Sequence, residues 1–276
     1  MKIYDLSREI MSTRPFEGDP APAMTRLANM ADDGYNLSTI AMSLHAATHV
    51  DAPLHFIRRG KDVASLPAEI FVGECTVMTV PGRRLDAMYF MRYPSTERLL
   101  LRGGGELTES GIGYLYNNGL KLIGTDRESI GSPSDERSTH LALLGYGIAV
   151  LENLNLTGVP DGKYMLSAAP LRIKGGEAAP CRALLLDLME KNLAPHITWD
   201  PFNGGLFAWC HLPKGVDMMA FVQKALEKKV CVVPGTAFLT SENEPCDAFR
   251  INFSTPTDEQ LTKGIELLGE TIREMI

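Results

Sequence analysis

Along the first 187 residues, apolar and polar positions fall into short runs separated by glycine and proline, the pattern of strands with a few helices. The runs Lys2–Leu6, Ser38–Val50, Glu74–Val80, Leu120–Gly124, Ala149–Glu152 and Ala183–Asp187 predict strands. Thr108–Asn117 and Ser138–Leu144 predict helices, the first with Thr108 as its N-cap. Beyond Asp187 the pattern changes. Gly205–His211, Val230–Val233 and Phe249–Phe253 read as strands, and Asp217–Lys228 and Thr257–Met275 as amphipathic helices with Asp217 and Thr257 at their starts. These alternations predict an α/β domain over 1–187 followed by a small α+β domain over 188–276.

Within the run Ser38–Val50 and just after it, His45, His49, Asp51 and His55 stand at even offsets. In an extended strand even offsets place side chains on one face. A helix would swing Asp51 by about 200° from His49. Val50 and Thr48 favour the extended form, and Pro53 discourages a helix. Imidazole nitrogens with a carboxylate on one face suit zinc or a similar divalent cation. The competing reading is a set of surface histidines with a capping aspartate. One strand supplies too few ligands, and the remaining candidates are His140 and Glu152, the latter closing the apolar run Ile148-Ala149-Val150-Leu151. Each taken alone reads equally well as a surface group.

Composition narrows the classes. The 276 residues are 45% hydrophobic, enough for a substantial core. The formal net charge of −7 argues against a nucleic-acid surface, since phosphate binding needs clustered Lys and Arg. Nowhere do 18 apolar residues run together, so no membrane span is expected. The five cysteines are scattered and contain no CxxC, which points to reduced thiols in a cytoplasmic protein. The glycines 103–105 are followed by no Lys-Ser/Thr, so they do not predict a phosphate cradle.

Residues 1–187 resemble the cyclase family of metal-dependent hydrolases, whose characterised type is bacterial kynurenine formamidase. The family hallmark HxGTHxDxPxHF is met by His45-Ala46-Ala47-Thr48-His49-Val50-Asp51-Ala52-Pro53-Leu54-His55-Phe56. Gly124-Thr125-Asp126-Arg127-Glu128-Ser129 matches a second block. His140-Leu141-Ala142-Leu143-Leu144, Ile148 to Leu154 and Pro170-Leu171-Arg172-Ile173 follow in order. The resemblance implies a swivelling β/β/α-like fold, with His45, His49, Asp51, His140 and Glu152 as metal ligands and His55 as the catalytic acid/base. It implies hydrolysis of a small amide by metal-activated water, N-formyl-L-kynurenine being the leading substrate, zinc the first metal and manganese the second. A homo-oligomer is expected on the same ground. Ala47 departs from the family glycine, a strain of about 1–2 kcal/mol if the position needs positive φ.

From about residue 195 the chain resembles the small C-terminal domain of fold-type I aminotransferases, through Pro201 to Trp209, Val232 to Phe238 and Arg250-Ile251-Asn252-Phe253-Ser254. In those enzymes the residue matching Arg250 grips a substrate carboxylate. The large domain and its Schiff-base lysine have no counterpart, so pyridoxal phosphate is not expected. A non-catalytic fusion, with the metal site serving folding or ligand sensing, is the alternative.

Overall fold

A computed structural model describes residues 3–80, 82, 84–132, 134–187, 189, 192–200, 207–240, 246–252, 256 and 258–276. The chain divides into two compact units, Tyr4–Val159 with Leu166–Leu185, and Met1–Ile3 with Pro160–Met165 and Leu186–Ile276.

The first unit is α/β. Val72–Thr79, Arg98–Arg102, Leu122–Thr125 and Ala149–Glu152 lie side by side in parallel. His49–Asp51 then pairs antiparallel with Ala149–Glu152, and Ala178–Pro180 antiparallel with His49–Asp51. The parallel strands Leu122–Thr125 and Ala149–Glu152 are buried throughout, which is why they read as continuous apolar runs rather than alternating ones. Helices Glu109–Asn117 and Glu136–Gly145 pack Ile112, Leu115, Leu143 and Leu144 onto that sheet, against Leu99, Ile123 and Val150. Thr108 caps its helix as expected, its hydroxyl accepting from the Gly111 N–H at 3.2 Å.

The expected strand Ser38–Val50 is not one element. Leu37–Ala41 pairs with Ala23–Ala28 in a separate two-stranded hairpin, and the sheet is rejoined only at His49–Asp51. Ala47, at φ 55°, breaks the extension between them. Pro53–His55 then forms a single 3-10 turn, because proline pre-sets φ for a first helical position. Arg98–Arg102 and Ala178–Pro180, which sequence pattern did not single out, are strands.

The second unit is α+β. Its sheet runs Thr198–Trp199, Phe207–His211, Ala248–Asn252, Val233–Pro234, antiparallel throughout. Helices Met218–Glu227 and Asp258–Arg273 supply Phe221, Ala225, Leu268 and Ile272 to a core with Cys210 and Phe249. Asp217 caps the first helix, accepting from Ala220 N–H at 2.7 Å. The cap expected at Thr257 lies outside the described residues, as do Pro201 to Leu206 of the aminotransferase-like segment.

Candidate metal centre

The parallel pairing carries Glu152 to the carboxyl end of its strand, and the antiparallel neighbour delivers His49 opposite it. Asp51 follows two residues later on the same face of that strand. Helix Glu136–Gly145 places His140 over the same point. His45 comes from the turn before the strand and His55 from the 3-10 turn after it. The even spacing therefore describes one strand face only for His49 and Asp51. For His45 and His55 turns do the aiming, and the single-strand expectation is corrected there.

The five groups converge. His45 Nδ1 lies 3.1 Å from Asp51 Oδ1, and His49 Nε2 lies 3.4 Å from that oxygen and 3.6 Å from Glu152 Oε2. His140 Nε2 lies 3.4 Å from Asp51 Oδ2 and 3.2 Å from Glu152 Oε1. Two candidate ligand triads result, His45–His49–Asp51 and Asp51–His140–Glu152, with the atoms of each within 4.8 Å of one another. Asp51 belongs to both and turns one oxygen to each. His49, Asp51, His140 and Glu152 are buried.

The donor chemistry fits a divalent cation. His49 Nδ1 sits 2.9 Å from the Ala47 carbonyl and His140 Nδ1 sits 2.8 Å from the Glu136 carbonyl. A carbonyl only accepts, so each Nδ1 carries a proton and Nε2 is the atom left to engage a cation. His49 Nε2 and both Asp51 oxygens are buried without a hydrogen-bond partner among the described residues, a costly arrangement unless a cation engages them. Burial depresses the basicity of His49 and His140, but Asp51 and Glu152 outweigh it and raise both to about 10. Burial pushes Asp51 upward, yet the surrounding imidazoles hold it well below the usual carboxylate range. Protons and a cation therefore compete for the same lone pairs.

His55 stands apart from the triads. Its ring centroid is 4.4 Å from that of His45 and 5.9 Å from that of His140, and Phe56 packs 4.9 Å from the latter. Burial lowers the His55 pKa, which favours the neutral imidazole. A shallow cleft at His45 is lined by Thr13, Phe16, Asp19, Ser43 and Ala46 among others. Phe16 lines it, Phe56 packs on the core, and Tyr35 is exposed in the hairpin.

Thr48 donates to the Asn153 carbonyl at 2.7 Å and accepts the Arg8 N–H at 2.9 Å, while Arg8 Nε reaches the same carbonyl at 3.1 Å. This clamp joins the histidine segment to the residue after Glu152. Sequence reading passed over Arg8 and Asn153. The latter left a faint signal, since Asn tolerates the positive φ of 58° found there.

Comparison with known proteins agrees with this geometry. The family described as "Putative cyclase" matches residues 4–131. A kynurenine formamidase of Salinibacter ruber is 36% identical over 208 residues, covering 68% of this chain and 98% of the relative. The chain belongs to the cyclase family. A second kynurenine formamidase, from Erythrobacter litoralis, is 34% identical over 68% of this cyclase and 95% of its own length. A Bacillus stearothermophilus protein described as a predicted metal-dependent hydrolase superposes with a TM-score of 0.57 at 28% identity, covering 67% of this cyclase and 97% of that protein. Residues 181–268 match the aminotransferase class I and II family, so a cyclase-family hydrolase is joined here to an aminotransferase-like segment. Among the described residues no helix is long and apolar enough to cross a membrane.

Proposed function

We propose that this cyclase hydrolyses an aryl formamide, with N-formyl-L-kynurenine as its substrate and kynurenine and formate as products, a step of tryptophan catabolism. The observation that carries the reading is the pair of ligand triads sharing Asp51, with His55 beside them outside both. The kynurenine formamidase relatives, aligned over nearly their whole length, supply the substrate.

His45, His49, Asp51, His140 and Glu152 would hold the cation, zinc in preference to manganese because nitrogen donors make up most of the set. When bound, such a cation supplies Lewis acidity toward the substrate carbonyl and acidifies water. Asp51 would serve both triads, because a carboxylate has an oxygen for each and an imidazole does not. His55, kept neutral by burial, accepts the proton of the attacking water and returns it to the departing nitrogen. Phe16, which lines the cleft at His45, offers an apolar ring to the aryl end.

In this reading residues 1–187 form the hydrolase domain and 188–276 a packing or oligomerisation module that needs no pyridoxal phosphate. The protein works as a cytoplasmic homo-oligomer. The test is kynurenine released from N-formylkynurenine by protein of measured metal content, beside a panel of other formamides and amides. Hydrolysis of another amide but not formylkynurenine would overturn the substrate. No hydrolysis at full metal occupancy would favour a sensing or folding role.

A further inference from the structure

Each of the three imidazoles at the centre shows one ring nitrogen to the acids and rests the other elsewhere. His49 and His140 rest Nδ1 on backbone carbonyls and offer Nε2. His45 is turned the other way. Its Nδ1 faces Asp51 Oδ1 at 3.1 Å, and its Nε2 lies 3.6 Å from Glu177 Oε1. Here a carboxylate occupies the place that a carbonyl takes beside each of the others.

Glu177 is held in that place by its backbone. Its carbonyl accepts the Ala52 N–H at 2.8 Å, and the next residue, Ala178, pairs with Asp51 across the ladder. The carboxylate is thus carried on the residue that leads into the strand beside Asp51. Its side chain is 40% exposed, so it keeps its hydration and can close to hydrogen-bonding distance without a burial cost.

We propose that Glu177 is a positioning residue for the metal centre. Its carboxylate accepts the His45 Nε2–H, which fixes the tautomer and leaves the Nδ1 lone pair facing Asp51 and the cation. This rests on the metal-centre reading above. A carbonyl only orients a ring; a carboxylate also places a negative charge behind it, which strengthens its hold on a cation.

The test is zinc titrated into metal-stripped wild type, Glu177→Gln and Glu177→Ala in competition with a chelator, with thermal denaturation of the metal-free proteins alongside. Glu177→Ala is expected to weaken zinc binding by about 10- to 100-fold. Glu177→Gln, which keeps an acceptor oxygen and loses the charge, should fall in between. The metal-free melting temperatures should match wild type, since the side chain is half exposed. Either variant binding zinc as tightly as wild type overturns the proposal. Wild type that binds no zinc would instead strike at the donor set itself, so the two failures are distinguishable.

Discussion

Glu152 is the register partner of His49 across the antiparallel ladder, and their side chains meet at 3.6 Å between Oε2 and Nε2. Its other oxygen accepts the Ile130 N–H at 2.7 Å, so the carboxylate is aimed from two sides. Glu152→Gln preserves the volume and that bond but removes the charge. Bound metal by elemental analysis should drop about tenfold or more after dialysis, and His49→Ala should do the same. Full occupancy in either variant would remove that residue from the ligand set.

His55→Ala should keep its metal and lose about 10²- to 10⁴-fold in turnover, the range of a positioned proton-transfer group. Steady-state rates on protein of matched metal content check this. Unchanged turnover would take His55 out of the chemistry.

Ala47 adopts φ 55° where the family hallmark has glycine. A side chain in that region costs about 1–2 kcal/mol, and glycine's greater freedom in the unfolded chain returns about 0.5–1 kcal/mol of that. Ala47→Gly should therefore stabilise the protein by about 0.5 kcal/mol in urea denaturation. A lower denaturation midpoint would mean that the buried Ala47 methyl contributes more by packing than its backbone costs.

Gly60 touches the backbone that carries His55. A Cβ there would fall 2.6 Å from the Pro53 carbonyl carbon and 2.8 Å from Leu54 N, neither of which can swing aside. Gly60→Ala should cost about 1–3 kcal/mol and reduce turnover by displacing the 3-10 turn, with metal retained. Gly113, inside helix Glu109–Asn117, is the control, because a Cβ added there would meet nothing within 4 Å. Gly113→Ala should gain about 0.5–1 kcal/mol and leave turnover alone.

Burial pushes the Cys181 and Cys210 thiols up to about 12, so at pH 8 almost none of either is thiolate. Cys231 is exposed. Iodoacetamide at pH 8 should label Cys231 first, with Cys181 and Cys210 reacting only on unfolding, as peptide mass mapping would show. Early labelling of Cys181 would contradict the burial that raises its thiol.

Local facts are written in the chain. The alternation His49-Val50-Asp51 sets two donors on one strand face, and Thr108 and Asp217 start their helices because their side chains cap them locally. The family resemblance also pointed to the five groups that the structure brings together. What neither could contain was their meeting. His45 is aimed by the turn at Ala47 and His55 by the turn at Pro53, both irregular backbone that periodicity does not describe. His140 and Glu152 reach Asp51 because Ala149–Glu152 pairs in parallel with Leu122–Thr125 on one side and antiparallel with His49–Asp51 on the other. Side-chain period is a property of a few neighbouring residues and can be read from them. Strand register is decided by the burial and hydrogen bonding of segments about a hundred residues apart, and only the folded sheet satisfies both at once.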